Sequence, residues 1–254
     1  MKHTQKGLTL IELMVALVLG LVFSAAAFQL LIANQRTFDL QQTIASMQED
    51  GQMALRYIAA DIRNAGRGNI LQGYIPPVIL DAALSNGNGH THNGATHDEL
   101  VVNYFGTSDC QGTTSATEVD IINRYYVAGG ALLCSGNLTG GTVELLNDVE
   151  SFQVQYGLDT AADGVLGVTR YVDASPTMLD DSTPGADDGP VLVAIRLGIL
   201  LSSPELNQVP STSSTHHVLG QQINSAADRR IRRVFSTTVH IRNHDSEAIL
   251  RDDT

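Results

Sequence analysis

Glu12 is the residue of this sequence that ordinary packing explains least. It interrupts an apolar run from Leu8 to Ala33 that is otherwise broken only by Thr9, Gly20, Ser24 and Gln29. A carboxylate near the end of a membrane-length helix is costly unless it is paired, and a simple anchor gains nothing from it. A partner is within reach, because Leu8 lies four residues earlier and positions i and i+4 share a helix face. Cleavage of the Gly7–Leu8 bond would place a free amine on Leu8. Gly7 suits such a cut, since a residue without a side chain can lie extended in a narrow protease cleft. Its other use is simply to begin a helix.

Further groups with possible chemistry lie beyond residue 90. His90, His92 and His97 crowd one loop with Asp98. The spacing could hold zinc, yet loop histidines without a rigid frame are ordinarily solvated. Asp159, Asp163 and Gly164 match positions 1, 5 and 6 of a calcium loop. Ala161 and Arg170 stand where ligands belong, which breaks that pattern. Calcium is thus a weak expectation, even with Asp180, Asp181, Asp187 and Asp188 nearby, and no cofactor is required. Arg229, Arg230, Arg232 and Arg233 form a basic cluster. It fits a subunit contact or internal ion pairs, a solvated face, anionic lipid, or DNA. Alternation around Val234 turns some of these arginines inward. A nucleophile elbow, a phosphate-binding glycine loop and HExxH are all missing, so the chain reads as no enzyme.

The formal charge of the 254 residues is −12, and Lys2 and Lys6 are the only lysines. Loss of residues 1–7 would make it −12 − 2 = −14. Such a body should not bind nucleic acid over its whole surface, and no nucleic-acid partner is expected.

These groups need elements to hold them. A short basic run followed by 26 largely apolar residues, Leu8 to Ala33, reads as one membrane-spanning helix with its basic end in the cytoplasm. The run is too long for a conventional signal peptide. Apolar positions then recur at helical spacing through Phe38, Leu40, Ile44 and Met47, with Met53, and again through Leu55, Ile58 and Ile62. Gly51 is expected to bend this helix or weaken it slightly. The run Asn64–Asn69 reads as its stop. A helix from Leu8 to Arg63 would be about 80 Å long. The division is 1–7 as a leader, 8–33 as the spanning half, 34–66 as an amphipathic half and 67–254 as a β-rich head.

In the head, Ile75–Leu80 is irregular and extended because of its prolines. Strands are expected over Leu100–Phe105, Glu118–Val127 and Ala131–Cys134, the last after a Gly129–Gly130 turn. The run Val143–Val149 reads as a turn or short helix leading into a strand over Ser151–Gly157. Arg170–Val172 suits a short edge strand, Val191–Leu201 a central strand and Val234–Arg242 a final one. Asp159–Pro190 and Ser202–Asp228 read as loop-rich, exposed contact surfaces. The sum is an α+β fold, one long helix on an antiparallel sheet.

The run KGLTLIELMVAL, from Lys6, closely resembles the prepilin cleavage and methylation motif, matched by Gly7, Leu8, Thr9, Leu10, Ile11, Glu12 and Leu13. The usual first mature residue there is phenylalanine, and here it is Leu8. The head resembles the PilW family of minor pilins, relatives of the J-type pseudopilin of type II secretion. The segments that carry this are Asn123–Asn137, Val143–Thr160 and Arg230–Asn243.

The resemblance implies a pilin-like fold and a structural role. A prepilin peptidase would cut after Gly7 and methylate Leu8, and Glu12 would then set filament register. The subunit would wait as a single-pass inner-membrane protein with a periplasmic head in a Gram-negative bacterium. It would then enter a type IV pilus at the cell surface, helping to initiate assembly or lying near the tip. Implied partners are other minor pilins, the major pilin, the inner-membrane assembly platform and a tip adhesin. Adhesion and twitching motility are the roles open to such a pilus. The alternative is the J-type pseudopilin. In an exported head Cys110 and Cys134 are expected to form a disulfide, with free thiols or metal as the other readings. Closing that loop would contribute roughly 3–4 kcal/mol.

Overall fold

The computed structural model describes residues 9–68, 75–80, 91–94, 96–160, 165–175 and 190–243. The chain forms two compact units, Met1–Ser46 and Met47–Thr254. One helix, α1 (Leu10–Asn64), runs through both. Its composition explains its length: it contains no proline, and leucine, alanine, glutamine and methionine favour helix throughout. Thr9 and Glu12 cap its start, and Gly66, at φ 77°, turns the chain away at its end.

From Leu10 to Asp39 the side chains of α1 are exposed on every face, including Leu10, Leu17, Phe23 and Phe28. This is the one described helix long and apolar enough to cross a membrane. Burial begins in the second unit with Met47, Gly51, Ala54, Leu55, Ile58, Ala59 and Ile62. Their spacing of three and four residues makes one stripe. Phe38 and Met53 do not belong to it, since both are exposed, and Leu40 and Ile44 are only partly covered.

The head is antiparallel but divides its strands between two sheets and a hairpin. The first sheet is a meander of β1 (Leu100–Ser108), β2 (Thr114–Ala128), β3 (Ala131–Gly136) and β4 (Val143–Leu146), in that order. Gly129 and Gly130, both at positive φ, make the two-residue turn between β2 and β3. Strand β4 replaces the expected turn or short helix. Its alternation is too short to read, but pairing of Val143 with Cys134 and Glu144 with Leu133 holds it extended.

The second sheet uses β5 (Val149–Asp159), β6 (Arg170–Val172), β7 (Val191–Ser202) and β10 (Arg232–His240), in the order β10-β7-β5-β6. Phe152, Val154, Tyr156 and Leu158 alternate along β5, and Ile195, Leu197, Ile199 and Leu201 along β7. Both sets join the core that receives the α1 stripe. The region expected to be loop-rich from Ser202 to Asp228 instead contains the hairpin β8 (Thr212–Val218) and β9 (Gln221–Asp228). Serine, threonine, histidine and glutamine hide its alternation, and its turn is the unusual pair Leu219 and Gly220, both at positive φ. The hairpin tip rests on the second sheet. A Cβ on Gly198 would meet Val218 and Leu219 at 2.8 Å, and Gln155 Nε2 donates to the Leu219 carbonyl at 2.9 Å.

Gly51 stands inside the unbroken α1 and has a packing role as well. It lets β10 approach, because a Cβ there would lie 2.8–3.0 Å from three ring carbons of Phe235. Gly51→Leu should therefore destabilise the detergent-solubilised full chain by about 1–3 kcal/mol through overpacking. Phe235→Ala in the same chain should recover part of the loss. Urea melts of the single and double variants check this, and additive losses would refute the contact.

Candidate functional site

Gly7 and Leu8 lie outside the described residues. Glu12 stands in the first turn of α1 and is exposed. Its Oε2 accepts from the Thr9 N–H and hydroxyl, both at 3.5 Å, while the Glu12 N–H donates to Thr9 Oγ1 at 3.4 Å. This is a capping box, satisfying donors that a helix start leaves free. The threonine–x–x–glutamate spacing carried that signal in the sequence.

The other end of α1 holds a polar network that the sequence reading missed. Asp61 adjoins the buried stripe. Its Oδ2 accepts from the Tyr125 hydroxyl at 2.5 Å and from Asn123 Nδ2 at 2.6 Å, and its Oδ1 from the Tyr104 hydroxyl at 3.3 Å. Asn123 Nδ2 also donates to the Tyr104 oxygen at 3.2 Å, and its Oδ1 accepts the Cys110 N–H at 3.0 Å. One turn earlier, the Tyr57 hydroxyl donates to the Cys110 carbonyl at 2.5 Å. Burial raises the Asp61 pKa against the opposing effect of the three donors. Burial and the Asp61 charge together push Tyr104 and Tyr125 up. Asn123 and Tyr125 alternate on one face of β2, which was the available clue.

The covalent link is in the same place. Cys110 and Cys134 are both buried and joined by a disulfide, with their Cα atoms 6.4 Å apart. It ties the β1–β2 connection, against which Tyr57 and Asn123 bond, to β3. The helix end is closed from the opposite side. Asn243 Nδ2 donates to the carbonyls of Arg63, Asn64 and Ala65 at 3.4, 3.3 and 3.1 Å, groups a helix end leaves without partners.

The arginine cluster separates by depth. The Arg232 side chain is only 5% exposed, and it reaches Glu150 at 2.7 Å and Asp228 at 2.5 Å. The Arg232 hydrogen bonds hold the Asp228 carboxyl down at about 2. Since β9 ends at Asp228 and Glu150 lies in β5, Arg232 fastens the hairpin base to the second sheet. Arg230 pairs with Asp148 at 3.3 Å, and Arg229 bonds Asn207 at 3.4 Å. Arg233 is exposed.

The histidine and aspartate candidates do not converge. His90 and Asp163 lie outside the described residues. His92 approaches Glu99 at 3.8 Å, whereas His97 bridges to Phe152. Asp98 spends its oxygens on backbone, accepting from the Val154 N–H at 2.7 Å and the Gly94 N–H at 2.9 Å. Asp159 Oδ2 accepts the Gly167 N–H at 2.7 Å. Among the described residues no group of three or more His, Cys, Asp or Glu could hold a metal.

The family profile of type IV pilus-assembly protein W matches residues 112–243, just over half the chain. The chain belongs to the PilW family. The prokaryotic N-terminal methylation motif matches residues 2–28. A type IV-like pilin from Thermus thermophilus, TTHA1219, has a similar structure, with a TM-score of 0.48 and 15% identity over 78% of this chain and 98% of that one. Among curated proteins, none matches. This PilW-family chain is a structural, non-catalytic subunit of minor-pilin or pseudopilin type in a type IV pilus-like assembly system. The PilW match starts at Gly112 and ends at Asn243, so it contains Asn123, Tyr125, Cys134, Arg232 and the residue that closes α1.

Two outcomes test the anchoring. Asp61→Ala leaves the Tyr125 hydroxyl without its acceptor and Asn123 Nδ2 with only the Tyr104 oxygen, and should cost about 2–4 kcal/mol in urea melts of the full chain. An unchanged midpoint would show the network to be dispensable. Asp98 is 3% exposed, and burial pushes its pKa from 3.8 to about 6. A raised carboxyl binds its proton more tightly when folded, so this contribution is present below pH 3.8 and lost as pH rises to about 6. Relative to Asp98→Asn, the natural chain should lose up to about 3 kcal/mol across that window and then level off. Parallel stability curves for the two chains would refute it.

Proposed function

We propose that this PilW-family chain is a minor pilin that is processed after Gly7, methylated on Leu8 and built into a type IV pilus. It is made as a precursor in the inner membrane of a Gram-negative bacterium, with residues 8–33 in lipid and the head in the periplasm. A prepilin peptidase removes residues 1–7, and the inner-membrane assembly platform then lifts the subunit from the bilayer. Within the filament, Glu12 pairs with a neighbour's terminal amine. A buried carboxylate without such a partner would be strongly unfavourable, so the pair selects one axial register. The chain acts with other minor pilins at the start or tip of the shaft, beside the major pilin and a tip adhesin.

The observation that supports this most is the methylation motif over residues 2–28 running straight into α1, whose apolar first half has no packing of its own. An apolar helix exposed on every face needs lipid or other helices around it. Filaments sheared from cells, with the N-terminal peptide of this chain determined there and in the membrane, test the reading. A peptide starting at methylated Leu8 in the sheared fraction is the expected result. The same peptide confined to the membrane would favour a J-type pseudopilin, and an uncleaved Met1 in every fraction would overturn processing.

A further inference from the structure

The outermost strands of the two four-stranded sheets are protected unequally. The outer edge of β1 is covered, with the Ile79 N–H bonding the Val101 carbonyl and the Asn103 N–H bonding the Pro77 carbonyl, both at 3.1 Å. At the opposite edge of that sheet, β4 has only four residues. In the second sheet β6 has three, and the length of β5 beyond it is met by Thr96 and Asp98. Strand β10 is different. It has nine residues in unbroken register with β7, without bulge, proline or lysine. Those are the devices that normally blunt an edge. Its open length is about 30 Å.

The direction of its backbone groups follows from its bonds. The Ile241 N–H donates to the Val193 carbonyl and the Ser203 N–H to the Ile231 carbonyl, so odd-numbered residues face β7. The N–H and C=O groups of Val234, Ser236, Thr238 and His240 therefore point away from it. All four residues are exposed, and among the described residues no backbone hydrogen bond reaches them from that side.

Charge narrows the occupant. Strand β10 runs beside α1, with Phe235 at Gly51 and Asn243 at the carbonyls of residues 63–65. Tyr57 and Asp61 bond the first sheet, and by helical spacing Arg56 and Arg63 fall on the flank of α1 turned away from it. Arg233 and Arg242 stand at the two ends of the strand. All four arginines are exposed, and none has a carboxylate within salt-bridge distance among the described residues. Glu49 is the acidic residue on that flank. In a chain of net charge −12 this is a local cationic strip along an open strand edge.

We propose that the β10 edge is a docking site for an extended, acidic segment of another subunit, which adds to the second sheet as a fifth strand. Backbone bonds to Val234, Ser236, Thr238 and His240 would supply the pairing, and Arg56, Arg63, Arg233 and Arg242 would select acidic side chains. That the occupant is a fellow subunit rests on the pilin reading above.

Photo-crosslinking in cells tests this on the full chain, with a benzoylphenylalanine placed at Thr238 and, separately, at Leu17 as a report on helix association. The expected Thr238 product joins a peptide rich in aspartate or glutamate from a different subunit. Charge reversal by Arg56→Glu with Arg63→Glu should cut its yield about tenfold. Ser236→Pro should do the same without changing the melting temperature, because that N–H bonds nothing in the isolated fold. No product at Thr238, or one joined only to residues 244–254 of the same chain, overturns the proposal. If Leu17 still crosslinks to other subunits, the pilin reading survives that failure; a silent Leu17 counts against both. A Thr238 yield unchanged by charge reversal overturns the acidic assignment.

Discussion

The head is organised by a narrow stripe on one helix. Met47, Gly51, Leu55, Ile58 and Ile62 are the positions through which α1 meets both sheets, and a stripe this narrow tolerates little rotation about the helix axis. Apolar contact alone would not fix that rotation, since burial is non-directional. Direction comes from the edges of the stripe. On one side Asp61 and Tyr57 bond the first sheet at named atoms, and along the middle Gly51 admits the Phe235 ring. At the end, Asn243 closes the last carbonyls. Three different interactions therefore define one orientation, and none can be met if the helix turns by a residue.

Two buried charges show opposite solutions to the same problem. Asp61 is surrounded by neutral donors, two phenols and an amide, so its charge is solvated without a counter-ion and burial still raises its pKa. Arg232 is answered by two carboxylates, Glu150 and Asp228, and the Arg232 hydrogen bonds hold Asp228 low. The first arrangement joins helix to sheet, and the second joins hairpin to sheet. Removing one partner of either leaves a polar group stranded, which is more damaging than replacing the whole set by apolar groups. The attachment of the head to α1 and of the hairpin to the head is thus conditional on complete polar sets.

Much of this was legible in the sequence, and the failures have physical reasons. The extent of α1 and the central place of β7 follow from apolar runs, whose signal is strong because burial is what they encode, and the edge place of β6 from the shortness of its strand-forming run. The covered side chain of Arg232 does not follow from alternation, since Val234 on the same face is exposed; Glu150 and Asp228, distant in the sequence or across a turn, enclose it. The hairpin β8–β9 was hidden because its exposed faces carry serine, threonine and glutamine, and because Leu219 in a positive-φ turn mimics no turn signal. Gly51 was misjudged because a glycine in a helix shows its conformational cost in the sequence but not the ring that needs its space. The Asp61 network was missed because its members come from a helix and two strands, and no local spacing joins them.

The N-terminal capping box bears on how the precursor and the processed subunit would differ. In the precursor Glu12 is occupied with Thr9, satisfying donors at the start of α1. On the proposed route, cleavage after Gly7 puts a cationic amine at the residue next to Thr9. That charge sits at the positive end of the helix dipole, where it is unfavourable. A carboxylate from a neighbouring helix relieves it better than the chain's own Glu12, which can serve only one of the two tasks fully. Processing would therefore convert a self-satisfied helix start into one that is completed between subunits. The glutamate that is anomalous in a simple anchor becomes intelligible as the group that makes the membrane-bound monomer less complete than the filament.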